Sequence, residues 1–312
     1  MQFNNKILAA IFFVLLGIWL LKNVVFTGSS DRSFRSTLMQ VDTASVDQMI
    51  FMPKGKDSTN IELKRAGSGW KATKGSIEVD AVANRVQSIL GQLTDIPTKR
   101  LISKSSDRHI DYEVTEDAGK IVELYSKGKL IEKIIFGRFN FNQSTREATS
   151  YARLGDEDDI YSVDGFMSMS FDVDFNSFRD RQLLNINQSD VKGLQLSDQS
   201  ITYSFSMPSQ GNWLLDNTTP LDSSQMATYL SGLANVSGND FNDNFTPTSQ
   251  PIKSLEITAD NSIGNIKLDC FSGDSGFIIK SSTNTAFFAS DSSGIFQKIF
   301  GDLENVIQVG SN

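Results

Sequence analysis

The chain has 312 residues, 39% of them hydrophobic and 21% charged, a balance that builds folded cores rather than a disordered chain. Its net charge is −8 with lysines and arginines scattered, so it lacks the basic footprint of a nucleic-acid binder. One cysteine, Cys270, and one histidine, His109, exclude an internal disulfide and a zinc site of common type.

The first predicted element is an apolar run over residues 7–26, ILAAIFFVLLGIWLL and then NVVF beyond Lys22. Twenty helical residues span about 30 Å, the thickness of a bilayer core, and Lys22 can extend its charged end to the headgroups. The run has no polar face, which sets it apart from a helix of a soluble domain. A cleaved signal peptide is the rival reading, but no small-residue cleavage site follows the run. Lipoprotein processing needs a cysteine just after it, and Cys270 is far away. The run therefore reads as a single-pass anchor in the cytoplasmic membrane, with the C-terminal body outside the cytoplasm. Residues 27–45 are polar and punctuated, as a tether is.

From residue 46 the pattern is strand-like. VDQMIFMPK and NIELKR precede Trp70, which follows GSG. The period then changes: Val82, Val86, Ile89 and Leu93 fall on one face of a helix that Asp80 is placed to cap. KIVELYS and KLIEKIIFG form a hairpin around Lys127-Gly128, and SYARL and DIYSVD a second pair around GDED. A short apolar turn, GFMSMSF, follows. The same order returns after Asp190. VKGLQL and ITYSFSM precede Trp213, and Asp222 can cap a helix with Met226, Leu230, Leu233 and Val236 on one face. SLEITA, NIKLDCF, GFIIKS and TAFFAS then lead to GIFQKIF.

The chain thus reads as α+β: an N-terminal transmembrane helix, then two repeated domains, each an antiparallel sheet with a packed helix. The boundaries are 1–26 for the anchor, 27–45 for the tether, 46–189 for the first repeat and 190–312 for the second. Trp70 and Trp213 recur in both copies and are read as core anchors beside the helix.

These residues carry a resemblance. GW before a polar turn, the helix ending in LGQL, IIFGRF, YARL, IYSVDG and SFRDRQLL are similar to the DUF4340 family. The first repeat shows them best, and the second lacks counterparts of FGRF and FRDRQLL. The resemblance implies a membrane-anchored bacterial protein that accompanies gliding-motility-type ABC transporter components, with membrane proteins of such a complex as partners. It brings no catalytic residue with it.

Signs of chemistry are few. There is no G-x-S-x-G elbow to use His109 and no G-x-x-x-x-G-K-[ST] to bind a nucleotide. His109 reads as a surface residue leading into a strand, and Cys270 as a small buried apolar residue. Gly155 to Asp159, GDEDD, reads as a solvated loop, without the spacing of an EF-hand calcium site. In FDVDF, alternation buries Phe171, Val173 and Phe175 and leaves Asp172 and Asp174 in water, unlike a glycosidase pair.

The stretch GFMSMSFDVDFNSF stands out instead, with Phe166, Met167, Met169, Phe171, Phe175 and Phe178 as a candidate partner surface or, alternatively, core. The chain is expected to be a non-enzymatic accessory or scaffold protein, without cofactor. The alternatives are a polysaccharide or peptidoglycan binder of the cell envelope and an envelope hydrolase.

Overall fold

A computed structural model describes residues 34–54, 59–199, 201–209, 212–260 and 264–310, together with Val14 and Leu16. The expected anchor over residues 7–26 falls almost wholly outside the described residues, and so does the tether as far as residue 33. Among the described residues no helix is long and apolar enough to cross a membrane. The fold is α+β, built from antiparallel sheets with few helices.

The chain divides into two units, one holding Ala83–Val173 and the chain up to Gly75, the other Ser76–Val82 and Asp174–Asn312. In chain order the strands before the first helix are β1 (Thr37–Gln40), β2 (Gln48–Met52), β3 (Ile61–Ala66), β4 (Gly69–Lys74) and β5 (Ile77–Asp80). Helix α1 (Ala83–Thr94) follows, then β6 (Asp95–Pro97), β7 (Arg100–Ser103), β8 (Lys120–Ser126), β9 (Lys129–Asn142), β10 (Glu147–Leu154), β11 (Ile160–Val163) and the single turn α2 (Met167–Ser170). β5 groups with the second unit, where Val82 donates to the Phe178 carbonyl at 2.8 Å.

In the first unit the sheet runs β4-β3-β2-β8-β9-β10-β11-β7, and β1 pairs separately with β6. Strict alternation makes β2, β3 and β4 one-sided, with Met49 and Phe51, Ile61 and Leu63, and Trp70 and Ala72 turned inward. By contrast β8, β9 and β11 bury consecutive residues, a second cluster of Val114, Ile121, Ile135 and Ile160 covering their other face. Helix α1 buries Val86, Ile89, Leu90 and Leu93 and packs against β1, β4 and β6. It starts at Ala83, so Asp80 is the last residue of β5 and Val82 precedes the helix. At the β8–β9 turn Lys127 (φ 51°) and Gly128 (φ 74°) supply the two left-handed residues that a two-residue hairpin requires.

The second unit contains β12 (Gln182–Asn185), β13 (Val191–Asp198), β14 (Ile201–Ser209), β15 (Asn212–Leu215), β16 (Thr219–Pro220), α3 (Ser223–Leu233) and β17 (Asn235–Ser237). β18 (Lys253–Ala259), β19 (Ile266–Gly273), β20 (Gly276–Ser281), β21 (Phe287–Ser290), a π-helical turn (Gln297–Gly301) and α4 (Asp302–Gly310) complete it. Its sheet runs β16-β15-β14-β13-β18-β19-β20-β21, and β12 pairs with β17. Asp222 caps α3, its Oδ1 accepting from the Ser224 and Gln225 amides at 2.8 and 2.9 Å. The helix buries Met226, Tyr229, Leu230 and Leu233; Val236, also buried, belongs to β17.

The paths β4-β3-β2-β8-β9-β10-β11 and β15-β14-β13-β18-β19-β20-β21 are the same, with β7 an addition in the first unit. Each unit begins with a short strand that pairs with the short strand after its helix. In consequence part of the expected tether, from Thr37, is strand β1, with Leu38 and Met39 buried. Likewise Gln182–Asn185, within the expected first repeat, lies in the second unit, which takes the chain from Asp174 onward.

Candidate docking face of the first unit

The six Phe and Met residues singled out in the sequence do not form one surface. Phe166 and Met169 are 59% and 54% exposed, and Met167 is half-buried. Phe171, Phe175 and Phe178 are buried and belong to cores. The division follows local geometry. In the one-turn α2, residues Phe166 and Met169 share a helical side that points outward. The extended chain beyond it buries Phe171, Val173 and Phe175 and leaves Asp172 and Asp174 exposed, as alternation predicts. Phe171 stacks on Phe136 with ring centroids 4.6 Å apart and planes 7° apart. Trp70 and Trp213 are both buried, at the second position of β4 and of β15, and the Arg65 guanidinium lies 4.7 Å over the Trp70 ring.

What joins Phe166 and Met169 comes from β9, and the sequence reading missed it. Phe139 and Phe141 are 36% and 49% exposed, and the Phe139 ring lies 5.8 Å from that of Phe166. The signal was there: FGRFNFN continues the apolar alternation past the point where β8 stops pairing. Each residue of FGRF has a distinct task. Phe136 is buried under Phe171. Gly137 passes so close to the Tyr112 carbonyl that a Cβ would sit 2.1 Å from its oxygen. The Arg138 guanidinium lies over the rings of Tyr112 and Tyr151, at 5.2 and 5.6 Å. Phe139 begins the exposed face.

Beside this face is a cleft of about 430 Å³ lined by Pro53, Lys54, Lys120, Gly137, Ser168 and Met169, among others. Its two lysines are paired, while Arg138, also on the lining, stacks on tyrosines instead. Lys54 pairs with Glu113 at 2.5 Å, and Lys120 pairs with Asp172 at 2.8 Å while donating to the Ser168 carbonyl at 3.0 Å. The exposed Phe139, Phe141, Phe166 and Met169 thus lie beside paired lysines.

Arg153, of the YARL motif, fixes the loop behind the face. It is 7% exposed, and its Nε donates to the Val114 carbonyl at 2.7 Å. Nη1 donates to the carbonyls of Leu154, Gly155 and Glu157 at 3.0, 3.1 and 3.2 Å. Burial lowers its pKa from the ordinary value, opposed by Glu116 and Asp158, and as a guanidinium it keeps its charge.

The remaining sequence candidates have structural partners. His109 is buried rather than on the surface, and lies in a turn; its Nε2 is 3.0 Å from the Asp158 carbonyl oxygen. The GDEDD loop is therefore held by its backbone as well as by the pair between Glu157 and Arg35 at 2.5 Å. Among the described residues no group of three or more His, Cys, Asp or Glu is placed to hold a metal ion. Cys270 is fully buried in β19, and burial pushes its thiol up to about 12. Since the thiolate is the reactive form, iodoacetamide at pH 8 should leave the folded protein unmodified and label Cys270 only in urea. Labelling of the folded protein at the rate of a free thiol would contradict this burial.

The fold is that of an α+β protein of antiparallel sheets. The family described as "Domain of unknown function (DUF4340)" matches residues 72–254, more than half of the 312-residue chain, and the chain belongs to that family. The match begins within β4 of the first unit and ends within β18 of the second. No curated protein matches the chain.

Proposed function

We propose that the protein is a non-enzymatic accessory or scaffold protein, anchored in the bacterial cytoplasmic membrane by residues 7–26, with its two units outside the cytoplasm. It works by contact, as part of an ABC-type transport or gliding-motility-associated complex whose ATPase is another protein. The observation that carries this reading is the exposed face of Phe139, Phe141, Phe166 and Met169, a cluster that is costly to leave in water unless a partner covers it. The apolar run supports the anchor, and the link to a transporter rests on the family resemblance. The matching strand paths and the two buried tryptophans support reading the units as copies of one repeat, of which the first has acquired the docking face. A glycan-binding reading has one observation in its favour. A cleft of about 540 Å³ in the second unit is lined by Asp240, Asn242, Asp274 and Phe277, which suit hydroxyl groups and a sugar face.

Affinity purification of the full chain from native membranes in mild detergent tests the proposal. A membrane protein recovered in near-equal amount is the expected result. A chain that is recovered alone, or that binds isolated envelope glycan instead, overturns it.

A further inference from the structure

The docking face has an open strand edge. β8 pairs with β9 as far as Lys120↔Phe136, whereas β9 runs on to Asn142 and pairs there only with β10, through Asn142↔Glu147. The flank that β8 leaves is closed at its first position, where the Arg138 amide donates to the Tyr112 carbonyl at 3.0 Å. From Phe139 onward no strand lies along that flank among the described residues, and residues 138–147 are exposed. The second unit has no such extension: β19 pairs with β18 up to Cys270 and turns back at Gly273↔Gly276. An edge of this kind presents main-chain N–H and C=O groups to any extended segment that can lie beside it.

The side chains select the occupant. Alternation puts Phe139 and Phe141 on one face of β9, and Arg138, Asn140 and Asn142 on the other. Arg138 stacks on its two tyrosines and has no acidic partner among the described residues. We infer that the partner contributes an added β-strand along Phe139–Asn142, apolar at alternate positions toward Phe139 and Phe141, with an acidic residue on the opposite face for Arg138. Main-chain bonds along the edge supply adhesion, and the alternating side chains supply selectivity. A second copy of this chain is a poorer occupant, because its own Phe139–Asn142 brings no acid to Arg138. The inference rests on the docking reading above and names the form of the partner's contact.

Hydrogen exchange of the full chain, alone and in the complex recovered from native membranes, tests it. Edge amides between Phe139 and Asn142 should exchange rapidly in the free chain and at least about tenfold more slowly in the complex. Arg138→Glu should remove most of the partner from the recovered material while leaving exchange in the core strands β2, β3 and β8 unchanged. A complex in which these amides stay as fast as in the free chain overturns strand addition and leaves side-chain docking. Equal protection in the purified chain at high concentration overturns the choice of partner, since a second copy would then occupy the edge. Failure to recover any complex contradicts the docking reading itself, and strand addition with it.

Discussion

Replacing Arg153 with Met should cost about 2–4 kcal/mol of the first unit's stability, because a buried carbonyl left without its donor costs about 1–3 kcal/mol. The arithmetic follows from the acceptors left behind. Three carbonyls, of Val114, Gly155 and Glu157, lose the donor they have here, while that of Leu154 keeps the Glu157 amide at 3.3 Å. The Val114 carbonyl, deepest in the protein, cannot recover a donor from water. Arg153→Lys should restore only a minor part, because an ammonium is a compact donor and cannot span the fork that reaches Val114 on one side and Glu157 on the other. Urea denaturation of the three proteins measures this, and a loss below about 1 kcal/mol in Arg153→Met would show that the network is incidental. The effect should also reach the docking face. Val114 lies in the loop that brings Tyr112 against Gly137 and Arg138, so Arg153 acts as a positioning residue for that face.

Trp70→Ala and Trp213→Ala should each cost about 3–5 kcal/mol, the range for truncating a buried aromatic to alanine. Both indoles are buried beside the helix of their own unit, and the Trp213 carbonyl accepts from the Leu221 amide at 2.9 Å just before α3. Each variant loses the indole of its own unit and keeps Trp19 and the other, so circular dichroism in urea measures the cost. Similar costs at the two positions fit two copies of one repeat. A cost below about 1 kcal/mol at either one would remove that tryptophan from the core.

Much of the fold was legible in the sequence because strands such as β2, β3, β13 and β18 alternate, β8 and β11 are apolar runs between turn residues, and the helices keep their period. The hairpin at Lys127-Gly128, the capping of α3 by Asp222 and the burial pattern of FDVDF all followed from local chemistry. The boundaries did not. β1 and β12 are four residues long, and β6 and β17, with which they pair, are three. Segments so short show no periodicity, and their pairing is set by a helix that returns the chain. β1 therefore fell in the expected tether and β12 in the expected first repeat.

The docking face was legible only in part, because composition alone does not separate exposed Phe166 and Met169 from buried Phe171, Phe175 and Phe178. That separation depends on where a single helical turn ends. Phe139 and Phe141 were passed over because the length by which β9 outruns β8 is a property of the sheet and not of either strand. The polar neighbours of His109 point to a surface position, whereas its ring is turned inward to the Asp158 carbonyl.

The central claim is that the protein works through this face and not through a reactive side chain. Recovery of the partner from native membranes by the double variant Phe166→Asp and Met169→Asp tests it most directly, with His109→Gln and Cys270→Ser measured beside it. Two carboxylates on exposed positions cost little in water but several kcal/mol when desolvated in an apolar contact. The account predicts an unchanged thermal melt and loss of nearly all the recovered partner for the double variant, with normal recovery for the other two. Full recovery by a folded Phe166→Asp and Met169→Asp protein would contradict it.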